Sequence, residues 1–235
     1  MWAELSFPWQ ASVTQAWEAA CAGTIPIGAV IEGPGGELMA VGRNRVYGPR
    51  VPDDTHLSGV RLAHAEINAL LALEFSETLE ARGITTRDCT IYTTTEPCPM
   101  CAGAIVMANL RRVCFASRDP WAGSTSLYQV GYMGLKNMAV IGPIEPIFED
   151  ILIAIQVEYF LRKGPQRGIS TQAGHAHPIF ERLAEMAPRA DAFGRALFRN
   201  GLIERLQADG CPVCEVFDRL AELLVTGTFS GVSSS

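Results

Sequence analysis

Two short segments carry side chains able to hold a metal and move a proton. Leu62-Ala63-His64-Ala65-Glu66 sets an imidazole two residues before a carboxylate, and Pro97-Cys98-Pro99-Met100-Cys101 follows with two thiols. One His and two Cys make three ligands. That is the number a catalytic zinc uses when its fourth position is kept for water or substrate, whereas a structural zinc is normally closed by four. Glu66 is not needed as a ligand and is free to act as general base and acid. Zinc held by imidazole and thiolates brings the pKa of a water toward neutrality. A carboxylate within hydrogen-bond reach can take that proton and pass it to a leaving amine. The chemistry that follows is hydrolysis, with one Zn2+ per chain held by His64, Cys98 and Cys101.

Either segment alone says little, because His-x-Glu recurs by chance and Cys-x-x-Cys also serves redox pairs and zinc knuckles. Their order and setting make the joint pattern specific. Pro97 and Pro99 flank Cys98, and residues 100–109 have helical character, so the cysteine pair sits at a helix start. Unpaired amides and the positive end of the helix dipole favour thiolate there. His64 and Glu66 likewise open the apolar run Ile67, Leu70, Leu71 and Leu73. Two helix starts are expected to face one ion.

The elements around these segments alternate between strand and helix. Residues 9–22 read as an amphipathic helix with Trp9, Val13, Ala16, Trp17 and Ala20 on one face. Residues 27–31 and 38–41 read as strands joined by the turn Glu32-Gly33-Pro34-Gly35-Gly36. Strands over 89–94, 113–116 and 138–141 bring the number to five, with the Cys98 loop delivered by the end of the third. This alternation implies helices on both faces of the sheet and a site beyond the strand ends.

The paired motifs resemble the signature of the cytidine-deaminase-like superfamily of zinc deaminases. The resemblance runs over about residues 9–145. It includes Pro26-Ile27-Gly28-Ala29-Val30, Gly42-Arg43-Asn44-Arg45, Thr95-Glu96-Pro97-Cys98 with Ala102-Gly103-Ala104, and Arg118-Asp119-Pro120. These blocks are similar to those of bacterial tRNA adenosine deaminases and of guanine and cytosine deaminases. The resemblance implies a three-layer α/β/α fold with a five-stranded mixed sheet. It also implies that Asn44 points from a strand end toward a base or sugar, that the backbone amide of Ala65 holds a base carbonyl, and that Asp119 and Trp121 touch sugar or ring. A base stacked on Trp121 would gain roughly 1–3 kcal/mol. The competing structural roles are a turn cap for Asp119 and a subunit interface for Trp121.

The chain of 235 residues, 48% hydrophobic and 19% charged, can bury one substantial core with room for an appendage. Residues 1–163 read as the deaminase domain, 164–177 as a linker, 178–227 as a helical C-terminal extension and 228–235 as a disordered tail. Residues 147–161 are apolar on nearly all sides, the mark of a helix buried against the core or a partner subunit. The long connection between Asn44 and His64 is read as a rim or lid, and His56 within it as solvated in preference to a fourth ligand. His175, His177, Cys211 and Cys214 are enough in kind for a second metal, though a helical cap or dimerisation element is more economical.

The formal net charge of −6, from 19 basic and 25 acidic residues, favours a small enclosed substrate over a structured RNA gripped by its phosphates. The expected substrate is a free nucleoside or nucleobase, acted on by a homodimer of this chain. A tRNA wobble adenosine is the first alternative, and a non-catalytic zinc-stabilised binding protein is the second. The N-terminal residues lack the pattern of a signal peptide and no apolar stretch is long enough to span a bilayer, so a cytoplasmic location without membrane contact is expected.

Overall fold

The computed structural model describes residues 1–50, 56–74, 79, 83–172 and 176–227. Its first helix, α1 (Phe7–Cys21), has Pro8 in its first turn, where a missing N–H costs nothing, and ends before Gly23 in the left-handed region. Next come β1 (Gly28–Glu32), β2 (Leu38–Arg43), α2 (Ala65–Glu74), β3 (Thr90–Thr95), α3 (Pro99–Met107) and β4 (Arg112–Ser117). A short helix α4 (Gly131–Gly134), strand β5 (Ala139–Ile141) and the long α5 (Pro146–Lys163) follow. The chain then runs through α6 (Ile179–Met186), α7 (Pro188–Arg199), α8 (Leu202–Ala208) and α9 (Val213–Thr226).

The strands form one mixed sheet in the order β2-β1-β3-β4-β5. The hairpin β1/β2 and the pair β1/β3 are antiparallel, while β3/β4 and β4/β5 are parallel. One face is covered by α2 and α3, through a core that includes Ile31, Leu70, Leu73, Ile91, Ile105 and Val113. The other is covered by α1 and α5, through Val13, Trp17, Phe148 and Ile151, joined by Phe193, Leu197, Leu202 and Phe217 of the C-terminal helices. This is the expected three-layer fold with its helical extension. The extension shares a core with α1 and α5 and packs a further cluster of Ile179, Phe180 and Leu183 against Ile153 and Val157 of α5.

Two glycines set the spacing of the layers. A Cβ at Gly28 would strike the backbone of Ser12 and Ala16 in α1, and one at Gly42 would strike the backbone of Ala65 and Ala69 in α2. Gly42 pairs with Ala29, the neighbour of Gly28, so the two close approaches lie side by side on opposite faces of the sheet. Among the described residues no helix is long and apolar enough to cross a membrane. The predicted tail 228–235 and His175 lie outside the described residues.

Candidate active site

Both ligand segments lie at helix starts. His64 immediately precedes α2, and its carbonyl accepts from the Asn68 amide 3.0 Å away. Cys98 is the N-cap of α3, Pro99 is its first residue and Cys101 lies in the first turn. The central strand β3 ends at Thr95, and the chain reaches Cys98 three residues later, at the end of the sheet where α2 also begins.

His64 Nδ1 lies 3.7 Å from Cys98 Sγ and 3.5 Å from Cys101 Sγ. Zinc bonds of about 2.0–2.1 Å to nitrogen and 2.3 Å to sulfur, at the tetrahedral angle, put those atoms roughly 3.6 Å apart. The observed separations match, and the mixed imidazole–thiolate set suits zinc. Among the described residues this is the one group of three or more such side chains whose ligand atoms all converge within 4.8 Å. His56, His177, Cys211 and Cys214 are therefore not gathered into a second one, nor does His56 join the first.

The electrostatics favour a single thiolate in the cysteine pair. The hydrogen bond from Cys101 holds the Cys98 thiol down to about 4, and the same bond raises Cys101. Hydrogen bonding to Cys98 raises His64 against the opposing effect of burial. Glu66 is 4% exposed, and burial pushes its carboxyl up to about 7, offset in part by His64. A carboxyl balanced near neutrality can both accept and return a proton.

Beyond the strand ends lies a cavity of about 170 Å³. The layer of α2 and α3 contributes His64, Glu66 and Cys98 to its wall, and Ile27, Asn44, Thr95, Glu96 and Asp119 come from the strand ends. Asn44 is buried. Its Oδ1 accepts from the Val46 amide at 3.1 Å and from the Thr24 hydroxyl at 2.7 Å. A backbone N–H can only donate, which fixes the orientation of the amide and leaves Nδ2 as the group to address the cavity.

Asp119 caps its own turn, its Oδ1 accepting from the amides of Trp121 at 2.8 Å and Ala122 at 3.1 Å, and it also lines the cavity. Burial raises its carboxyl. Trp121 lines the cavity while its ring leans on His177 at 4.8 Å, so a residue weighed as a second-metal ligand is a neighbour of a cavity-lining loop. Arg182 lies over the same indole, and its guanidinium donates to the Pro120 carbonyl at 3.3 Å. Ala65 packs its methyl into the core and does not line the cavity, so only its backbone is available to a ligand.

Several contributors were not anticipated. Glu96 ties the two sides of the loop, accepting from the Thr125 amide at 3.1 Å and its hydroxyl at 2.5 Å. Gln156 and Phe160 of α5 and Ile179 and Leu183 of α6 complete the wall. No described residue between Asn44 and His64 lines the cavity, and residues 51–55 of that connection, read as a rim or lid, lie outside the described residues; Ile179 and Leu183 show that the C-terminal extension forms part of the wall. Instead, the connection is held to α2, with Asn68 Oδ1 accepting from the Leu57 amide at 2.7 Å and its Nδ2 donating to the Leu57 carbonyl at 3.1 Å.

At the strand ends of this sheet a buried carboxyl thus lies beside three side chains that converge as metal ligands. Residues 6–117 match the family model for the cytidine and deoxycytidylate deaminase zinc-binding region. Cytosine deaminase of Candida albicans is 30% identical over 118 residues, covering 50% of this chain and 69% of that protein. The chain belongs to the zinc-binding deaminase family, and His64, Cys98 and Cys101 are positioned to bind one metal ion. A tRNA-specific adenosine deaminase of Bacillus subtilis is 34% identical over 113 residues, which span 48% of this chain and 61% of that one. A tRNA(Ile)-lysidine synthase of Deinococcus deserti is 38% identical over 107 residues, 46% of this chain but only 18% of that protein.

Proposed function

We propose that the protein is a zinc-dependent hydrolase that removes the exocyclic amino group of a small free nucleobase or nucleoside, releasing ammonia. The observation that carries this reading is Glu66, buried at the cavity wall beside the three convergent ligands and held near neutrality by burial. Zinc bound by His64, Cys98 and Cys101 would supply Lewis-acid activation of a water. Glu66 takes a proton from the attacking water and delivers it to a ring nitrogen of the amidine; it then takes the remaining proton of the hydroxyl added to the ring carbon and passes it to the amino group, which leaves as ammonia while the carbon becomes a carbonyl. Asn44 Nδ2 and the Ala65 amide donate to acceptors on the ring, while Asp119 and Trp121 border its other side.

The size of the site supports a small substrate. About 170 Å³ is below the roughly 300–1,000 Å³ of pockets for drug-sized ligands, and Ile179, Leu183 and Phe160 make one wall apolar. The net charge of −6 points the same way. The second reading, deamination of a tRNA wobble adenosine, draws on the identity to the Bacillus subtilis enzyme. A second copy of the chain would cover the apolar side chains exposed at the sheet edge, Tyr132, Leu135, Val140 and Ile141; a sedimentation mass of one chain would count against that homodimer. Cys98 and Cys101 must stay reduced to hold a metal, which suits the cytoplasm.

The test is ammonia release by zinc-loaded protein from nucleobases, nucleosides and a tRNA anticodon stem-loop. Glu66→Gln should retain zinc and lose turnover. Equal ammonia release by that variant, with its zinc content measured, would remove Glu66 from the reaction; turnover of the stem-loop alone would favour the second reading.

A further inference from the structure

We infer that Gln156 selects the heterocycle at this site, reading the ring edge remote from the amino group that is removed; the inference rests on the deaminase reaction proposed above. Every residue of α5 from Ile151 to Tyr159 is buried except Gln156. The next half-buried position is Phe160, one turn later, and an i, i+4 pair shares one helix face. Both residues line the cavity. The face of α5 that escapes burial is thus the face turned to the substrate space.

An amide on an otherwise buried helix is unfavourable unless its hydrogen bonds are made. Gln156 makes one inside the protein, Nε2 donating to Thr95 Oγ1 at 2.8 Å. Thr95 is the last residue of β3 and leads through Glu96 and Pro97 to Cys98. One arm of the amide is thereby fixed to the strand that delivers the metal ligands, and the carbonyl oxygen and second N–H remain for the cavity.

Position determines what those atoms can read. Glu66 and the metal ligands come from the α2/α3 layer, and Gln156 comes from α5 in the opposite layer. The carbon that loses its amino group must stand by Glu66, so the rest of the ring extends toward α5. Asn44 offers a donor from the strand ends. Gln156 adds an acceptor and a donor on the far wall, next to apolar Phe160. The ligand class this fits is a heterocycle with hydrogen-bonding atoms on the edge opposite its amidine.

The experiment compares kcat and KM of zinc-loaded wild type, Gln156→Leu and Gln156→Glu on cytosine, guanine, adenine and purine analogues lacking remote-edge nitrogens. Melting temperature and zinc content show that each variant is folded. Loss of one buried hydrogen-bond partner should lower kcat/KM for the preferred substrate roughly 10–100-fold, mainly through KM. Analogues already lacking the remote atoms should lose much less, and Gln156→Glu should shift preference toward substrates presenting a donor there. Folded variants that slow every substrate by one common factor would overturn the inference and leave the deaminase reading intact. Failure of wild type to release ammonia from any member of the panel would overturn both.

Discussion

Replacing Gly42 by alanine tests how far the metal ligands depend on the contact between β2 and α2. The added Cβ would lie 2.9 Å from Ala69 Cα and closer still to the Ala65 carbonyl oxygen and the Ala69 nitrogen. All three are backbone atoms of α2, so no side-chain rotation relieves the clash. Carbon–carbon contacts are most favourable at about 3.5–4.0 Å, so α2 must withdraw by about 1 Å. Overpacking of this kind costs about 1–3 kcal/mol. For a chain of this size that lowers the melting temperature by roughly 2–12 °C. Because α2 begins beside His64 and contains Glu66, a displacement of about 1 Å should also slow turnover on the order of 100-fold. Calorimetry, zinc content and ammonia release would be measured on the same preparation. Gly103→Ala in α3 is the contrast, since a Cβ there meets nothing within 4 Å. It should stabilise the helix by about 0.5–1 kcal/mol. A Gly42→Ala protein with wild-type melting and turnover would refute the packing argument.

Two further predictions concern buried carboxylates. Glu149 accepts from the Arg118 amide at 3.0 Å and from its Nε and Nη2 at 2.7 and 2.9 Å, fastening the residue before Asp119. With Arg118 47% exposed, Glu149→Gln should cost about 1–2 kcal/mol and raise KM more than it lowers kcat; unchanged melting and KM would show that the clasp does not hold the loop. Burial raises Glu158 despite Arg162 2.6 Å away, so the native chain keeps that proton to higher pH than the unfolded chain does. Its contribution to stability is present below the unfolded value of about 4.3 and is lost as pH rises through the raised native value. Glu158→Gln should flatten this fall in melting temperature with pH; parallel curves for the two proteins would contradict it.

The site was legible wherever its chemistry is local in sequence. His64, Glu66, Cys98 and Cys101 are bound to short segments and helix starts, and Pro99 marks one of those starts from sequence alone. The five strands were legible for the same reason, each being a short run rich in apolar or β-branched residues; only their ends moved, as with β2, which continues to Arg43 and delivers Asn44. The far wall of the cavity was not legible. Gln156 stands within a run apolar enough to read as buried on all sides, and only the placement of β3 and α6 shows that one face lines a cavity. Ile179 and Leu183 reach the site through folding of a segment far from either motif. The connection after Asn44 adjoins the ligand helix in sequence, and Asn68 holds it at Leu57; its described residues do not line the cavity. His177 is likewise placed by tertiary packing, against Trp121 and not beside Cys211 and Cys214.

The two layers that meet at the cavity have different freedoms to change. The residues positioned to hold an ion, and the Glu66 proposed to move protons, lie on or beside α2 and α3, while Gln156, Phe160, Ile179 and Leu183 belong to α5 and α6 on the other side of the sheet. Under the proposed function, mutations in the second group should alter which molecule is accepted without disturbing the ligand set, which makes this wall the place to begin a library aimed at new substrates. The same arrangement limits shortening of the chain. Phe193, Leu197, Leu202 and Phe217 bury the outer face of the helix whose inner face carries Gln156, so removing the extension would expose that core and unsettle the substrate wall together.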